Sequence, residues 1–181
     1  MVSIKNKLGH TIALSNFFGG VEGAVEVKYQ HAKWEEIGSS LGLGGVNPIE
    51  PGDDAITAKR KGGLGFIVNH LHDYCRRRGI MVNRRLVTKE LIRRYIRDLV
   101  YPKIWYRKSK DVMYELLREK FGLPGEARNV LLATGDMLLA ENPAGSRGRP
   151  SVWVAPNMAN IESEDDCGLL GQLLMKVRSE I

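Results

Sequence analysis

The stretch LLATGDMLLAE, residues 131–141, changes character within a few positions. Leu131 and Leu132 close an apolar helical run, Thr134-Gly135-Asp136 carries the polar and flexible residues of a tight turn, and a short apolar strand follows that stops on the carboxylate of Glu141. This helix and strand join the several helices and few short strands read along the rest of the chain.

Outward from this turn the pattern is mainly helical. Upstream, Ser109 or Lys110 to Phe121 places Val112, Met113, Leu116, Leu117 and Phe121 on one face, Gly122 stops it, and Pro124 sits at the start of the next helix. Further back, Thr88 caps a helix with an apolar stripe of Leu91, Ile92, Tyr95, Ile96, Leu99 and Val100, while Arg93, Arg94 and Arg97 face away and Pro102 follows its end. Leu64 to Arg78 reads as a helix ended by Gly79, and Glu26 to Glu36 as another. Residues 38–52, rich in glycine with Pro48 and Pro51, read as a loop; no Lys-Ser/Thr follows as a phosphate-binding loop requires. HTIALSNFF at 10–18 reads as a strand or extended entry. The last helix, about Asp166 to Ser179, buries Leu169, Leu170, Leu173, Leu174 and Val177, with Asp165 and Asp166 at its positive end.

Composition and charge narrow the classes. At 181 residues the chain suits one domain, long enough to bury a core. No apolar run approaches the roughly 18 residues of a membrane span, so no membrane partner is expected. MVSIKNKLGH lacks the apolar core of a secretion signal, and two cysteines in no metal-like spacing suit a reducing cytoplasm. The net charge of +6 is unevenly spread: residues 76–110 hold thirteen Lys/Arg against Glu90 and Asp98, leaving fourteen basic and nineteen acidic residues elsewhere. Such a block suits a phosphate-bearing partner such as nucleic acid, with Arg93, Arg94 and Arg97 its candidate contacts; a solvated helix face accounts for it equally well.

Familiar catalytic spacings are absent. His70 and His72 fall on different helix faces, which argues against a joint metal site, and no nucleophile elbow, metalloprotease or zinc-finger pattern occurs. No metal or cofactor is expected. Function must then come from scattered carboxylates, lysines and aromatics.

One arrangement of these resembles a known family. WYRKSKDVMYELLREKFGLPGEARNVLLATGDMLLAE at 105–141, the Trp in SVWVAPN, and the closing LLGQLLMKVR follow in order the pattern of the NADAR (YbiA-like) family. LSNFF at 14–18 and VEVKYQHAKW at 25–34 are similar to its N-terminal signature. The resemblance implies a single compact, helix-rich α+β domain of the YbiA-like kind with a few short strands, with the basic segment at about 76–104 as an elaboration, that hydrolyses N-glycosidic bonds in ADP-ribosyl or ribosylamino substrates. It assigns Glu26 and Glu141 as catalytic carboxylates, and Gln30, Lys33, Trp34, Lys120, Thr134, Gly135 and Trp153 as substrate-binding residues; Phe121 and Arg178 also match the pattern. Such chemistry builds positive charge at the sugar C1′, which a carboxylate stabilises while activating water. A lysine suits phosphate and a Trp offers a stacking face. The Thr-Gly turn would bring N–H groups and a hydroxyl close to a ligand.

The chain departs from the family pattern at three polar positions, now Val27, Pro150 and Gly168, and its late Trp-Gly is Trp153-Val154. Two expectations therefore stand side by side. One is an active N-glycosidase; the other is a catalytically reduced module that binds nucleic acid, a nucleotide or a protein.

Overall fold

A computed structural model describes residues 2–3, 24–100, 105–141 and 151–181. The extended entry expected at 10–18, Pro102 and Pro150 lie outside them. The elements are β1 (Val2–Ser3), α1 (Val25–Leu41), α2 (Ala55–Lys61), α3 (Leu64–Arg77), β2 (Met81–Val82), β3 (Arg85–Leu86), α4 (Lys89–Val100), α5 (Trp105–Gly122), α6 (Glu126–Ala133), β4 (Leu139–Ala140) and α7 (Gly168–Glu180). The chain is α+β and helix-rich, as expected. Among the described residues its strands form two small sheets, parallel β1–β4 and antiparallel β2–β3. The residues group into two units, 20–112 and 113–181 together with 1–19.

In the first unit α1 packs on α2 and α4, and α3 on α2 and α4. Trp34, Ile67, Leu71 and Ile96 are fully buried there; each such side chain contributes on the order of 1.5–3 kcal/mol through burial. Helix α1 runs five residues beyond Glu36, so residues 38–41 are helical rather than part of the expected loop. The reason is space: a side chain at Gly38 would meet the Leu43 carbonyl at 2.9 Å and Val46 at 3.0 Å, so the bare backbone lets the returning loop close on the helix. Gly42 then ends it with φ 64°, Leu43 N–H donating to the Gly38 carbonyl at 2.8 Å. The loop is pinned to α3 by His70 Nε2 on the Val46 carbonyl (3.0 Å) and by the Tyr74 hydroxyl on the Gly44 carbonyl.

Helix α2, which the apolar spacing does not announce, starts where Asp54 accepts from the Thr57 N–H at 2.6 Å. Helix α3 follows its expected span, and Gly79 at φ 63° turns the chain out of it. The hairpin β2–β3 is also unannounced: it turns through Asn83 and Arg84 at φ 51° and 61°, the mirror-image two-residue turn that hairpin twist favours. Arginine is a rare occupant of such a position, and strands of two residues leave little alternation to read. Thr88 caps α4 as expected, its Oγ1 accepting from Leu91 N–H at 3.2 Å. Of the expected stripe, Ile92 and Ile96 are buried, Leu91 is half-buried and Tyr95 is exposed.

Helix α5 starts at Trp105, not at Ser109 or Lys110. Trp105 is buried against the Tyr29 ring, centroids 5.2 Å apart, and Ser109 is buried one turn later, so the inward face begins earlier than the aliphatic residues reveal. Its residues through Val112 belong to the first unit and those from Met113 to the second.

In the second unit, Pro124 lies one residue outside α6, whose cap is Gly125 in extended backbone. Helix α7 is preceded by a short 3-10 turn, Glu164–Cys167, so the helix proper starts after Asp165 and Asp166. Ser163 and Asp166 form a reciprocal cap, Ser163 N–H and Oγ donating to Asp166 Oδ2 at 3.0 and 2.9 Å. Leu170, Leu173, Leu174 and Val177 are buried as expected, while Leu169, whose N–H donates to the Val152 carbonyl, is only half-buried. Gly171 faces β4: a side chain there would fall 1.9 Å from the Leu139 carbonyl, so helix and strand touch backbone to backbone.

Candidate functional site

Glu26, Gln30 and Lys33 stand at i, i+4 and i+7 of α1 and therefore share one face. Glu26 and Gln30 are both about 6% exposed, and the Gln30 amide donates to Glu26 Oε1 at 2.8 Å. The other end of that amide, Oε1, is buried and without a hydrogen-bond partner among the described residues. It sits directly over Gly62, where a Cβ would come within 1.7 Å of it.

Gly62 is also where α1 grips the end of α2. The last carbonyls of a helix have no partner inside it. Here Lys33 Nζ donates to the Gly62 carbonyl at 2.7 Å and Trp34 Nε1 to the Lys61 carbonyl at 3.2 Å. Lys61 itself reaches back to Asp53 at 2.7 Å and to the Pro48 carbonyl at 2.8 Å, tying down the preceding loop. Desolvation works to raise the Asp53 carboxyl, but the hydrogen bonds from Lys61 and the Glu50 N–H, with the Lys61 charge, together hold it below its usual range. Burial pushes the Lys33 ammonium down to about 8, against the upward pull of Glu26. The cluster is thus a buried carboxylate, an amide that orients it, and an amine whose pKa burial lowers to about 8.

Trp34, expected as a stacking face, is enclosed at 0% exposure with His70 edge-on at 5.3 Å, so its ring presents no face to a ligand in this conformation. Beside it, residues 34–47 line a cleft of about 280 Å³ between the end of α1 and the glycine-rich loop, with Glu35 and Asn47 joined at 2.8 Å. His70 stacks on Phe66, and His72 Nδ1 lies 3.5 Å from Asp73. Among the described residues, no group of His, Cys, Asp and Glu is placed to hold a metal ion.

The second unit holds the remaining candidates. Thr134 caps the C-terminus of α6 and Gly135 follows at φ 49°. The Thr134 hydroxyl donates to the Leu131 carbonyl at 2.6 Å and accepts from Arg178 Nη1 at 2.8 Å; Arg178 also donates to the Met137 carbonyl at 2.9 Å. The Thr134 and Gly135 N–H groups are engaged by Leu131 and Leu132. This turn is therefore locked to the last helix by its own polar groups, with Arg178 as the fastener. Glu141, half-buried, follows β4, and its carbonyl accepts from Ala155 N–H at 3.0 Å. That bond and those from Leu169 and Leu170 to Val152 and Trp153 fix half-buried Trp153 in a segment lying on α7. Gly168 belongs to the same contact: at φ 73°, its Cβ would collide with Val154 at 2.4 Å, so no polar side chain fits there. Lys120 on α5 is half-buried, 5.0 Å from the Phe121 ring, and burial lowers its pKa to about 8.

The structure thus gathers Glu26, Gln30, Lys33 and Trp34 on α1 in one unit, and puts Lys120, Thr134, Gly135, Glu141 and Trp153 in the other. Gly62 and Arg178 complete these arrangements; only the closing Val-Arg of the sequence signals the second, and nothing local signals the first. Arg93, Arg94 and Arg97 are all exposed on α4. No family model matches this chain, and no match was found among curated proteins or solved structures.

Proposed function

We propose that this chain is an N-glycosidase-type hydrolase of the NADAR-like kind, acting on the ribose C1′–N bond of an ADP-ribosyl or ribosylamino substrate. The observation that carries the reading is Glu26: a carboxylate buried on a helix face, oriented by the Gln30 amide, beside a lysine whose pKa is drawn down to about 8. Perturbed, specifically partnered groups of this kind are what acid–base sites require. In the reaction the C1′–N bond breaks, the base leaves with a proton, and water adds at C1′. Glu26 stabilises the developing cation and takes the proton of the water; Lys33 steadies the anionic part of the substrate while it remains protonated. Glu141 is the second candidate carboxylate.

The test is mass spectrometry after incubation with ADP-ribosylated guanine oligonucleotide, ribosylamine intermediates and NAD. Loss of the base from one of them is expected, with turnover reduced at least roughly 100-fold in folded Glu26→Gln. Unchanged turnover in that variant removes Glu26 from the mechanism, and the same substitution at Glu141 assigns or dismisses the second carboxylate.

A second reading has its own support. The sealed Trp34 ring and the engaged Thr134 hydroxyl favour a catalytically reduced module that binds a nucleotide, nucleic acid or protein. Absence of cleavage on all three substrates, with retained binding of ADP-ribose, selects it. The buried free thiols of Cys75 and Cys167 support a cytoplasmic setting for either reading.

A further inference from the structure

The β2–β3 hairpin is open to solvent along its whole length, residues 81–86 all being exposed. Its register sets Val82 opposite Arg85 next to the turn and Met81 opposite Leu86 behind them. Met81 and Leu86 therefore share one face of the ribbon, and they are 60% and 62% exposed. The turn is Asn83-Arg84, and among the described residues these are the two non-glycine positions with positive φ. Left-handed backbone is costly to every residue but glycine, and this type of turn favours Asn-Gly. Arg84 stands where the glycine would. A strained position held by a long cation points to a use for its side chain. The charge is also unopposed along the chain: residues 74–89 contain no acid, and neither the Arg84 nor the Arg85 guanidinium has a hydrogen bond or ion pair among the described residues. Glu90, the next acid, lies 4.0 Å from Arg93, and Asp98 comes eight residues, roughly 12 Å, further along α4.

Along the ribbon, cations lead at the tip and aliphatic side chains follow. A lipid surface takes the reverse order, with aliphatic groups deepest and cations at the headgroups behind them. A second copy of the chain would bring the same unpaired cations together. The minor groove of duplex DNA takes a cation first: acceptors line its floor, phosphates its edges and sugar faces its walls, and A·T pairs narrow it and deepen the potential that draws arginine in. Asparagine, arginine and open aliphatic side chains are the residue types that minor-groove binders use. We infer that the hairpin is a minor-groove contact for duplex DNA, with Arg84 entering the groove, Arg85 at a phosphate on its edge, and Met81 and Leu86 against the sugars. This contact is independent of the hydrolase reading, because unmodified DNA is bound without turnover.

The experiment is fluorescence anisotropy of labelled oligonucleotides on the full chain, with an A·T-rich DNA duplex, a G·C-rich duplex and a single strand, and with netropsin, a minor-groove ligand, and polyglutamate as competitors. Vesicles of phosphatidylserine and phosphatidylcholine are tested in parallel by sedimentation. The A·T-rich duplex is expected to bind roughly tenfold or more tightly than the other two, and netropsin should displace the protein from it. Arg84→Gly should weaken this binding at least roughly tenfold without lowering the melting temperature, since glycine suits the turn. Met81→Ser/Leu86→Ser should weaken it by a smaller factor, with an unchanged circular dichroism spectrum because both side chains are exposed. The inference is overturned if A·T-rich DNA gains nothing over G·C-rich or single-stranded DNA, if netropsin fails to compete, or if Arg84→Gly binds as the parent does. It is overturned equally if polyglutamate displaces the duplex charge for charge, or if the vesicles bind the parent and not Arg84→Gly; the hairpin then serves an acidic protein or a lipid surface.

Discussion

Gly62 has an ordinary helical φ of −79°, so its value lies in the hydrogen it offers in place of a side chain. The Gln30 amide occupies the space a Cβ would need. Gly62→Ala should therefore push aside the tip of a flexible side chain at modest cost to stability, while releasing Glu26 from its orienting bond. The expected outcome is a melting temperature within a few degrees of the parent, with turnover lowered about tenfold. A large loss of stability with normal specific activity would make Gln30 a packing residue instead. Lys33 gives a sharper test. Glu26 raises its pKa against burial, so Glu26→Gln should move the Lys33 titration below about 8. A lysine side-chain NMR titration reads this directly, and a shift upward would contradict the proximity of the two groups. If Lys33 holds a substrate phosphate, affinity for ADP-ribose should fall as pH rises through about 8.

At the scale of elements, α7 and β4 depend on Gly171. Gly171→Ala would gain roughly 1 kcal/mol of helix propensity, but it drives a methyl into the Leu139 carbonyl, backbone that cannot swing away. We expect a net destabilisation of about 1–3 kcal/mol by denaturant unfolding; a stabilised variant would show that strand and helix are less tightly seated. The fastening of α6 to α7 through Arg178 and Thr134 is read by Thr134→Val, which keeps the shape and removes both hydrogen bonds, with an expected cost of about 1–3 kcal/mol. Much of this layer is legible in the sequence, because Leu170, Leu173, Leu174 and Val177, or Met113, Leu117 and Phe121, repeat at the helical period. What is not legible has a physical cause. The roles of Lys33 and Trp34 as partners for the last carbonyls of α2 depend on a helix of seven residues, too short for a period to show. The start of α5 rests on an aromatic contact, Trp105 with Tyr29, between residues far apart in the chain.

Across the whole molecule, Lys33 and Lys120 each have a folded pKa of about 8 against 10.5 for an unperturbed lysine. Between these values the unfolded chain holds more protons than the folded one, so this pair makes stability rise with pH from about 8 to about 10.5. Below about 8 the penalty of carrying buried charge is fully present. Comparison with a Lys33→Met/Lys120→Met variant isolates the effect: the parent should close on the variant as pH rises through that window, and parallel curves would dismiss it. Charge also distinguishes the surface from the interior, since the arginines at 76–78, 84, 85, 93, 94 and 97 are all exposed while Glu26 and Gln30 are buried and bonded to each other. As for β1, Val2 pairs with Leu139 and Ser3 with Ala140, so this strand finds its partner only after the long intervening stretch has been made. The unit of residues 20–112 needs no such wait, because it is a continuous stretch. Synthesis therefore imposes an order in time: the arginine-bearing unit can close while the chain is still growing, and the unit holding Glu141 completes its sheet last, across a contact separation that slows folding.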